Sequence, residues 1–309
     1  MEENEMKQII SEIESKLTGD AEKDAEIWNE YGERYREVPG SEELQSEIAR
    51  RIFALAPDAD DEFFADIYND MLKTTDEDFA EACRLIDRQQ YDEALEKLFG
   101  LCDVIRFYVL SEDTVWMDFD SFLDSLVFLD LYQEEIGNRE IGRHPIHPSR
   151  ILFTTGLLLI EMGRAEEAVD ILKTLIDFDP VCPRFLFELG EAYKRTGQYK
   201  EAAQNALWSL KCAHTRADLA RGYRDLAYCL SETGSFEDAV MLYMQSLHFE
   251  PSRQAQSEIA WIRKKTGISA DGYNDEAIQK RCEELDIPTG ISETVISNQE
   301  LLKMIGQSD

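Results

Sequence analysis

Several residue patterns typical of large functional classes are scarce in this 309-residue sequence. It has six cysteines without a C-x-x-C pair, and four histidines of which only His144 and His147 lie close together. Structural zinc sites usually place their ligands close in sequence, so we expect neither a metal site nor a cofactor. Because the acidic N-terminus lacks the features of an export signal, we expect reduced thiols in a cytoplasmic protein.

Long hydrophobic runs are lacking too. The longest mainly apolar stretch, residues 151–160, is interrupted by Thr154 and Thr155. A helix that crosses a bilayer needs about 20 apolar residues, so this stretch is too short. The sequence also has no glycine-rich phosphate loop and no nucleophile motif around a serine. We therefore expect a protein that is not embedded in a membrane and is not an enzyme.

Basic residues are outnumbered two to one, with 32 lysines and arginines against 64 aspartates and glutamates. About −24 of the net charge of −32 falls in residues 1–150. Such a surface repels phosphate backbones, which argues against nucleic acid, and it either keeps the chain soluble or attracts basic proteins. Residues 181–230 differ from the rest, because eight basic residues there outnumber five acidic ones.

A pattern of large, small and turn residues recurs three times between Ser149 and Ser252. Its second copy begins 34 residues after the first, and the third copy has three extra residues near 212–218. Each copy has two amphipathic segments joined by a turn glycine, at Gly163, Gly197 and Gly234. This arrangement predicts three helical hairpins.

Small residues stand at six equivalent positions, where we expect the two helices of each hairpin to approach closely. The first helices carry Gly156, Gly190 and Ala227, and the second helices carry Ala168, Ala202 and Ala239. A larger side chain at any of these positions is expected to push the hairpin apart. Pro180 and Pro251 end the second helices of two copies, because proline has no N–H to continue a helix.

In these residues the chain resembles the tetratricopeptide repeat family. The resemblance implies an all-α fold, a right-handed superhelical solenoid of helix-turn-helix repeats whose first helices line a concave groove. We expect residues 1–74 to be an acidic helical region with one divergent unit at about 25–58. Residues 75–148 are predicted to form one hairpin, opened by Thr75-x-x-Asp78, and a divergent helix pair. Three clear repeats at 149–252 and capping helices with a tail at 253–309 complete the prediction.

Arginine at the second position of each repeat is the main functional signal. With the aromatic and basic residues at neighbouring groove positions, the candidate site comprises Arg150, Phe153, Arg184, Phe187, Lys194, Arg195, Arg221, Arg224 and Tyr228. Arginine binds carboxylates in a bidentate manner, so we predict that the groove captures an acidic segment or a terminal carboxylate. The alternative is that the arginines pair internally, with Glu161, Glu188, Glu191 and Asp225, and only hold the helices together.

The expected function is a non-enzymatic protein-binding or assembly scaffold. The chaperone-tail clamp of the family has lysine and asparagine at two groove positions, but Phe153 and Leu157 occupy them in the first copy. The sequence therefore departs from that clamp. Two alternatives stay open: a regulatory receptor for a small signalling peptide, and a homo-oligomer in which residues 293–305 of one chain fill the groove of another.

One stretch leaves an enzymatic alternative. Residues 118–124 resemble the aspartate motif of haloacid-dehalogenase-like phosphatases, although Ser121 and Phe122 replace its usual glycine and threonine. That motif requires a preceding strand and an exposed carboxylate, whereas the same residues also fit a helix with its phenylalanines facing inward. We expect the helix.

Overall fold

A computed structural model describes residues 3–36, 38, 40–41, 44, 47–48, 51–52, 55, 62–107 and 114–305. Within these ranges the chain forms fourteen α-helices and two short strands. It separates into two compact units, one made of Met1–Trp116 with Ile141–Ile151 and the other of Met117–Glu140 with Leu152–Asp309. In the described part of the chain, no helix is both long enough and apolar enough to cross a bilayer.

The first unit begins with helices α1 (Glu3–Glu14) and α2 (Ala21–Tyr35). Asp20 caps α2 by accepting a hydrogen bond from the Lys23 backbone N–H at 3.3 Å. Trp28 and Tyr31 of α2 are buried in one cluster with Leu44, Ile48 and Ile52. Much of the second half of the repeat unit predicted at 25–58 lies outside the described residues.

Helix α3 (Glu62–Asp87) corrects one prediction. The sequence predicts a helix start at Thr75, but Thr75 is a buried residue inside this 26-residue helix. No glycine or proline interrupts residues 62–87, so the helix continues through the capping signature. It turns at Gln89, which takes a left-handed φ of 61°, into helix α4 (Tyr91–Phe107).

Residues 114–143 hold one helix instead of the predicted helix pair. Strands β1 (Thr114–Met117) and β2 (Glu140–Arg143) form a two-stranded sheet, with α5 (Phe122–Ile136) between them in sequence. A strand therefore precedes Asp118, but Asp118 is buried and its backbone N–H donates to the Phe178 carbonyl at 3.1 Å. Phe122, expected to face inward, is 63% exposed.

Three consecutive helical hairpins follow strand β2 in the sequence. Their helices are α6 (Pro148–Glu161), α7 (Ala165–Phe178), α8 (Pro183–Arg195), α9 (Tyr199–Lys211), α10 (Arg216–Glu232) and α11 (Phe236–Phe249). Gly163, Gly197 and Gly234 take φ values of 75°, 74° and 91°, which favour glycine at these turns. From α7 onward each helix packs against the next, and α8 also contacts α10. The predicted fold class, an all-α solenoid of tetratricopeptide-like hairpins, is confirmed.

The six small positions do not have equal room. A methyl group at Gly156 would lie 2.5 Å from a Leu172 methyl, whereas at Gly190 the nearest atom would be the Asn205 amide nitrogen at 3.4 Å. The expectation that any larger side chain opens the hairpin therefore does not hold for alanine at Gly190.

The C-terminal helices continue the packing of the repeats. They are α12 (Arg253–Thr266), α13 (Asp275–Glu284) and α14 (Glu293–Ile305). Ile262 and Ile278 join the hydrophobic cluster of α10 and α11. Helix α14 packs on α5, where Asn298 donates to Asp130 at 3.2 Å, and Gln299 donates to the His214 carbonyl at 2.8 Å. The tail of this chain is therefore held by its own unit.

Candidate functional site

The first helices of the second and third repeats carry the arginines that define the candidate site. Arg184 is the second residue of α8, and Arg221, which aligns with it in the next repeat, is the sixth residue of α10. The Arg184 guanidinium lies 4.4 Å from the ring centroid of Phe153, and that of Arg221 lies 4.5 Å from the ring centroid of Phe187. Each arginine thus stacks on the aromatic residue of the preceding repeat, a cation–π contact that also fixes the plane of the guanidinium.

Arg150 repeats this arrangement in the first unit. Its guanidinium lies 5.0 Å from the Phe79 ring centroid, and it forms an ion pair with Asp76. Because Arg150 belongs to the first unit and the other candidates to the second, the structure does not group it with them.

A network of charges joins α8 to α10 beside the stacked arginines. Lys194 of α8 lies 2.8 Å from Asp225 of α10 and 2.9 Å from Glu191, and Arg195 also pairs with Glu191 at 2.9 Å. Burial lowers the pKa of Lys194, but Asp225 and Glu191 outweigh this effect and hold that pKa above its usual value. The Lys194 ammonium also lies 5.6 Å from the Tyr228 ring centroid.

In the third repeat, Arg224 replaces the aromatic residue on which an arginine of the next repeat would stack. It occupies the position that Phe153 and Phe187 hold in the two earlier repeats, and it pairs with Glu250 at 3.3 Å. The third repeat therefore offers no ring at this position for a further arginine.

Every candidate cation has a carboxylate partner in the described structure. Arg184 pairs with Asp120 at 2.9 Å and Arg221 with Glu188 at 2.9 Å. The sequence suggests Glu188, Glu191 and Asp225 as internal partners, and the structure adds Asp76, Asp120 and Glu250. Such surface ion pairs contribute only about 0–1 kcal/mol each. The side chains of Arg184 and Arg221 remain 54% and 40% exposed, so a ligand carboxylate can reach them.

His144, one of the two histidines that lie close together in the sequence, has a local structural role. His144 is buried, and its Nδ1 atom accepts a hydrogen bond from the Ile146 backbone N–H at 3.3 Å. The acceptor atom of this ring is therefore used within its own turn.

Comparison with known proteins gives one family and several structural relatives. Residues 153–207 match the family model described as tetratricopeptide repeat. The first tetratricopeptide domain of Spaghetti (RPAP3) bound to the HSP90 peptide SRMEEVD is 20% identical, with 39% of this chain and 94% of that chain covered and a TM-score of 0.37. MamA MSR-1 C2 is 14% identical, with 73% and 96% covered and a TM-score of 0.39. MamA 41-end from Desulfovibrio magneticus RS-1 is 11% identical, with 74% and 96% covered and a TM-score of 0.39.

No curated protein matches the sequence. The matched residues cover the end of α6, the whole of α7 and α8 and most of α9, where the turn glycines and close-packed helix pairs lie. This part of the chain therefore matches the tetratricopeptide repeat family.

Proposed function

We propose that this protein is a non-enzymatic scaffold that captures a protein or peptide segment on the face formed by α8 and α10. The stacked arginines carry this proposal. A guanidinium has five N–H donors, and Arg184 and Arg221 each use one in their hydrogen bonds to Asp120 and Glu188. The ring beneath each guanidinium fixes its plane, so the remaining donors are oriented for a bidentate contact with a carboxylate.

The ligand we propose is an acidic segment or a terminal carboxylate. Its carboxylates would replace Asp120 or Glu188 beside the arginines, an exchange that costs little because surface ion pairs are weak. Residues 181–230 are locally basic within a chain of net charge −32, which favours an acidic ligand at this face. Phe187 is only 4% exposed beneath Arg221, so it acts as a platform for the arginine, whereas Leu157 at 37% exposure offers a direct apolar contact.

Two features guide the choice among the alternatives. Phe153 and Leu157 stand where the chaperone-tail clamp has its lysine and asparagine, so we do not propose that binding mode. Helix α14 contacts α5 and the His214 carbonyl of its own chain, which does not favour a tail that fills a neighbour's groove. The six free cysteines support our inference of a cytoplasmic protein.

The proposal is tested by charge reversal on the binding face. The triple variant Arg184→Glu, Arg221→Glu and Arg224→Glu is compared with the unaltered chain in affinity capture from a lysate of the source cell, with mass spectrometry as the readout. We expect the unaltered chain to retain a partner that the variant loses, and we expect rising salt concentration to weaken that capture because the contacts are ionic. Circular dichroism checks that the variant keeps its helix content.

A matched control carries the same charge change elsewhere. Lys173, Lys200 and Arg263 are exposed and lie on α7, α9 and α12, away from the first helices of the repeats. Their triple change to glutamate is expected to leave capture intact. A folded Arg184, Arg221 and Arg224 variant that retains the same partner as the control would refute binding at this face.

A further inference from the structure

Three metal-ligating side chains converge where α5 meets the loops between repeats, and a fourth, His214, contacts one of them. Asp124 lies in the first turn of α5, Asp179 and Cys182 lie in the turn between α7 and α8, and His214 lies in the loop between α9 and α10. Ligand atoms of Asp124, Asp179 and Cys182 all lie within 4.8 Å of one another. These three residues are 1%, 0% and 2% exposed.

Two buried polar atoms in this cluster lack hydrogen bonds. Oδ1 of Asp124 and Nε2 of His214 lie 3.3 Å apart, close enough for an ion pair, yet neither atom makes a hydrogen bond in the described structure. A buried polar atom without a partner costs about 1–3 kcal/mol. Both atoms belong to side chains that commonly bind metal ions, and this points to a metal ion bound by the two atoms.

The charge of the cluster is also uncompensated. Among the described residues, neither Asp124 nor Asp179 has an ion pair with a lysine or arginine, and Arg184 pairs with Asp120 instead. A bound cation would compensate the negative charge of these ligands.

We propose that Asp124, Asp179, Cys182 and His214 bind one Zn²⁺ ion. Two carboxylate oxygens, one sulfur and one imidazole nitrogen form a mixed set that suits zinc, whereas Ca²⁺ and Mg²⁺ take oxygen ligands. Four protein ligands complete a tetrahedral site, which is the arrangement of structural zinc. The ion would join α5, which lies outside the repeats, to the loops at both ends of the second repeat.

Neighbouring groups already orient the proposed ligands. The Ser121 hydroxyl donates to Oδ2 of Asp124 at 2.5 Å, which leaves Oδ1 for the metal. Backbone N–H groups of Asp120 and Val181 donate to the two oxygens of Asp179 at 2.9 and 3.3 Å. Hydrogen bonds of this kind fix the direction of metal ligands and increase metal affinity.

The competing explanation is a carboxyl pair that shares a proton. Asp124 and Asp179 are buried side by side, and protonation of one of them would also relieve their repulsion. This explanation predicts no metal binding, and it predicts that Asp124→Asn raises the melting temperature at neutral pH because it removes the repulsion.

The test uses the full chain after dialysis against a chelator. Zn²⁺ is titrated in competition with a chromogenic chelator, and Co²⁺ is added to a second sample to record its absorption spectrum. We expect one zinc ion per chain, a higher melting temperature with zinc and a thiolate-to-cobalt charge-transfer band. Loss of even an outer partner of a ligand weakens metal binding roughly 10- to 100-fold, so Cys182→Ser is expected to weaken it by at least about 100-fold.

Matched controls are Cys229→Ser and His248→Gln, which alter a buried thiol of α10 and a histidine of α11 outside the cluster. Both should bind zinc like the unaltered chain, whereas Cys182→Ser and His214→Gln should not. Equal weakening of all four variants, weak unsaturated binding or a cobalt spectrum without the thiolate band would overturn the proposal. The cobalt spectrum of the unaltered chain tests the proposal even if a variant fails to fold. None of these readouts depends on partner capture.

Discussion

The contact between Gly156 and Leu172 offers a direct test of why the repeats need small residues. Gly156 lies on α6, and a methyl group added there would lie 2.5 and 2.6 Å from Leu172 side-chain carbons. Gly190 is the equivalent residue of the next repeat, where the nearest atom would be 3.4 Å away. The difference arises because the second repeat has Ala206 at the position of Leu172.

The magnitude follows from two opposing effects. Alanine is more favourable than glycine within a helix by roughly 1 kcal/mol. Forcing a methyl group into a packed core costs about 1–3 kcal/mol, and Leu172 is fully buried, so it cannot move aside freely. We therefore expect Gly156→Ala to lower the free energy of unfolding by up to about 2 kcal/mol. Gly190→Ala should raise it by roughly 0.5–1 kcal/mol.

Thermal unfolding of the two single variants is the first assay. A double-mutant cycle with Leu172→Ala then isolates the contact, because removal of the leucine side chain makes room for the methyl group. In the Leu172→Ala background, Gly156→Ala should become stabilising. If Gly156→Ala stabilises the unaltered chain as much as Gly190→Ala does, the steric explanation is refuted.

Two further predictions concern helices α8 and α10. Thr215→Ala removes the side-chain oxygen that accepts from the Asp218 N–H at 3.1 Å and should lower the free energy of unfolding by about 1 kcal/mol, measured in urea. Ser235→Ala is the control, since Ser235 makes no capping hydrogen bond, and an equal loss there would contradict the capping argument. Burial raises the pKa of Glu191, but hydrogen bonds from Lys194 and Arg195 outweigh the effect of burial and hold that pKa below 4.5. Its contribution to stability is therefore present above pH 4.5 and is lost on acidification. The difference in free energy of unfolding between the unaltered chain and Glu191→Gln, measured in urea, should therefore shrink at low pH. A difference in free energy of unfolding that does not change with pH would contradict this reasoning.

The hairpins were predictable because their signals are local. Apolar spacing, the small residues and a turn glycine such as Gly197 all act within a few residues of one another. Strand β1 was not predictable in the same way, since four residues are too few to show a period. The apolar spacing from Phe122 onward is that of an ordinary helix, so it gives no sign of a strand before it. The signature at Thr75 failed for a related reason, because the same residue types also fit inside a long helix such as α3.

The candidate site was predictable in its positions but not in its pairings. Repeat alignment placed Arg184 and Arg221 at equivalent positions, and the structure shows both in equivalent stacking contacts. Asp120, the partner of Arg184, lies 64 residues away and outside the repeats, so no spacing rule relates the two. The zinc ligands that we propose come from separate segments as well, and only the fold brings His214 to Asp124.

The stacking of each arginine on the preceding repeat makes the arginine face modular. Because Arg221 needs only a ring one repeat earlier, an extra copy of the second repeat inserted before α10 would supply both a ring and a new arginine in register. An extra copy placed after the third repeat would not extend the series, since Arg224 stands where the ring should be. In the binding that we propose, the identity of residue 224 would thus set how many acidic positions a ligand can present to this protein.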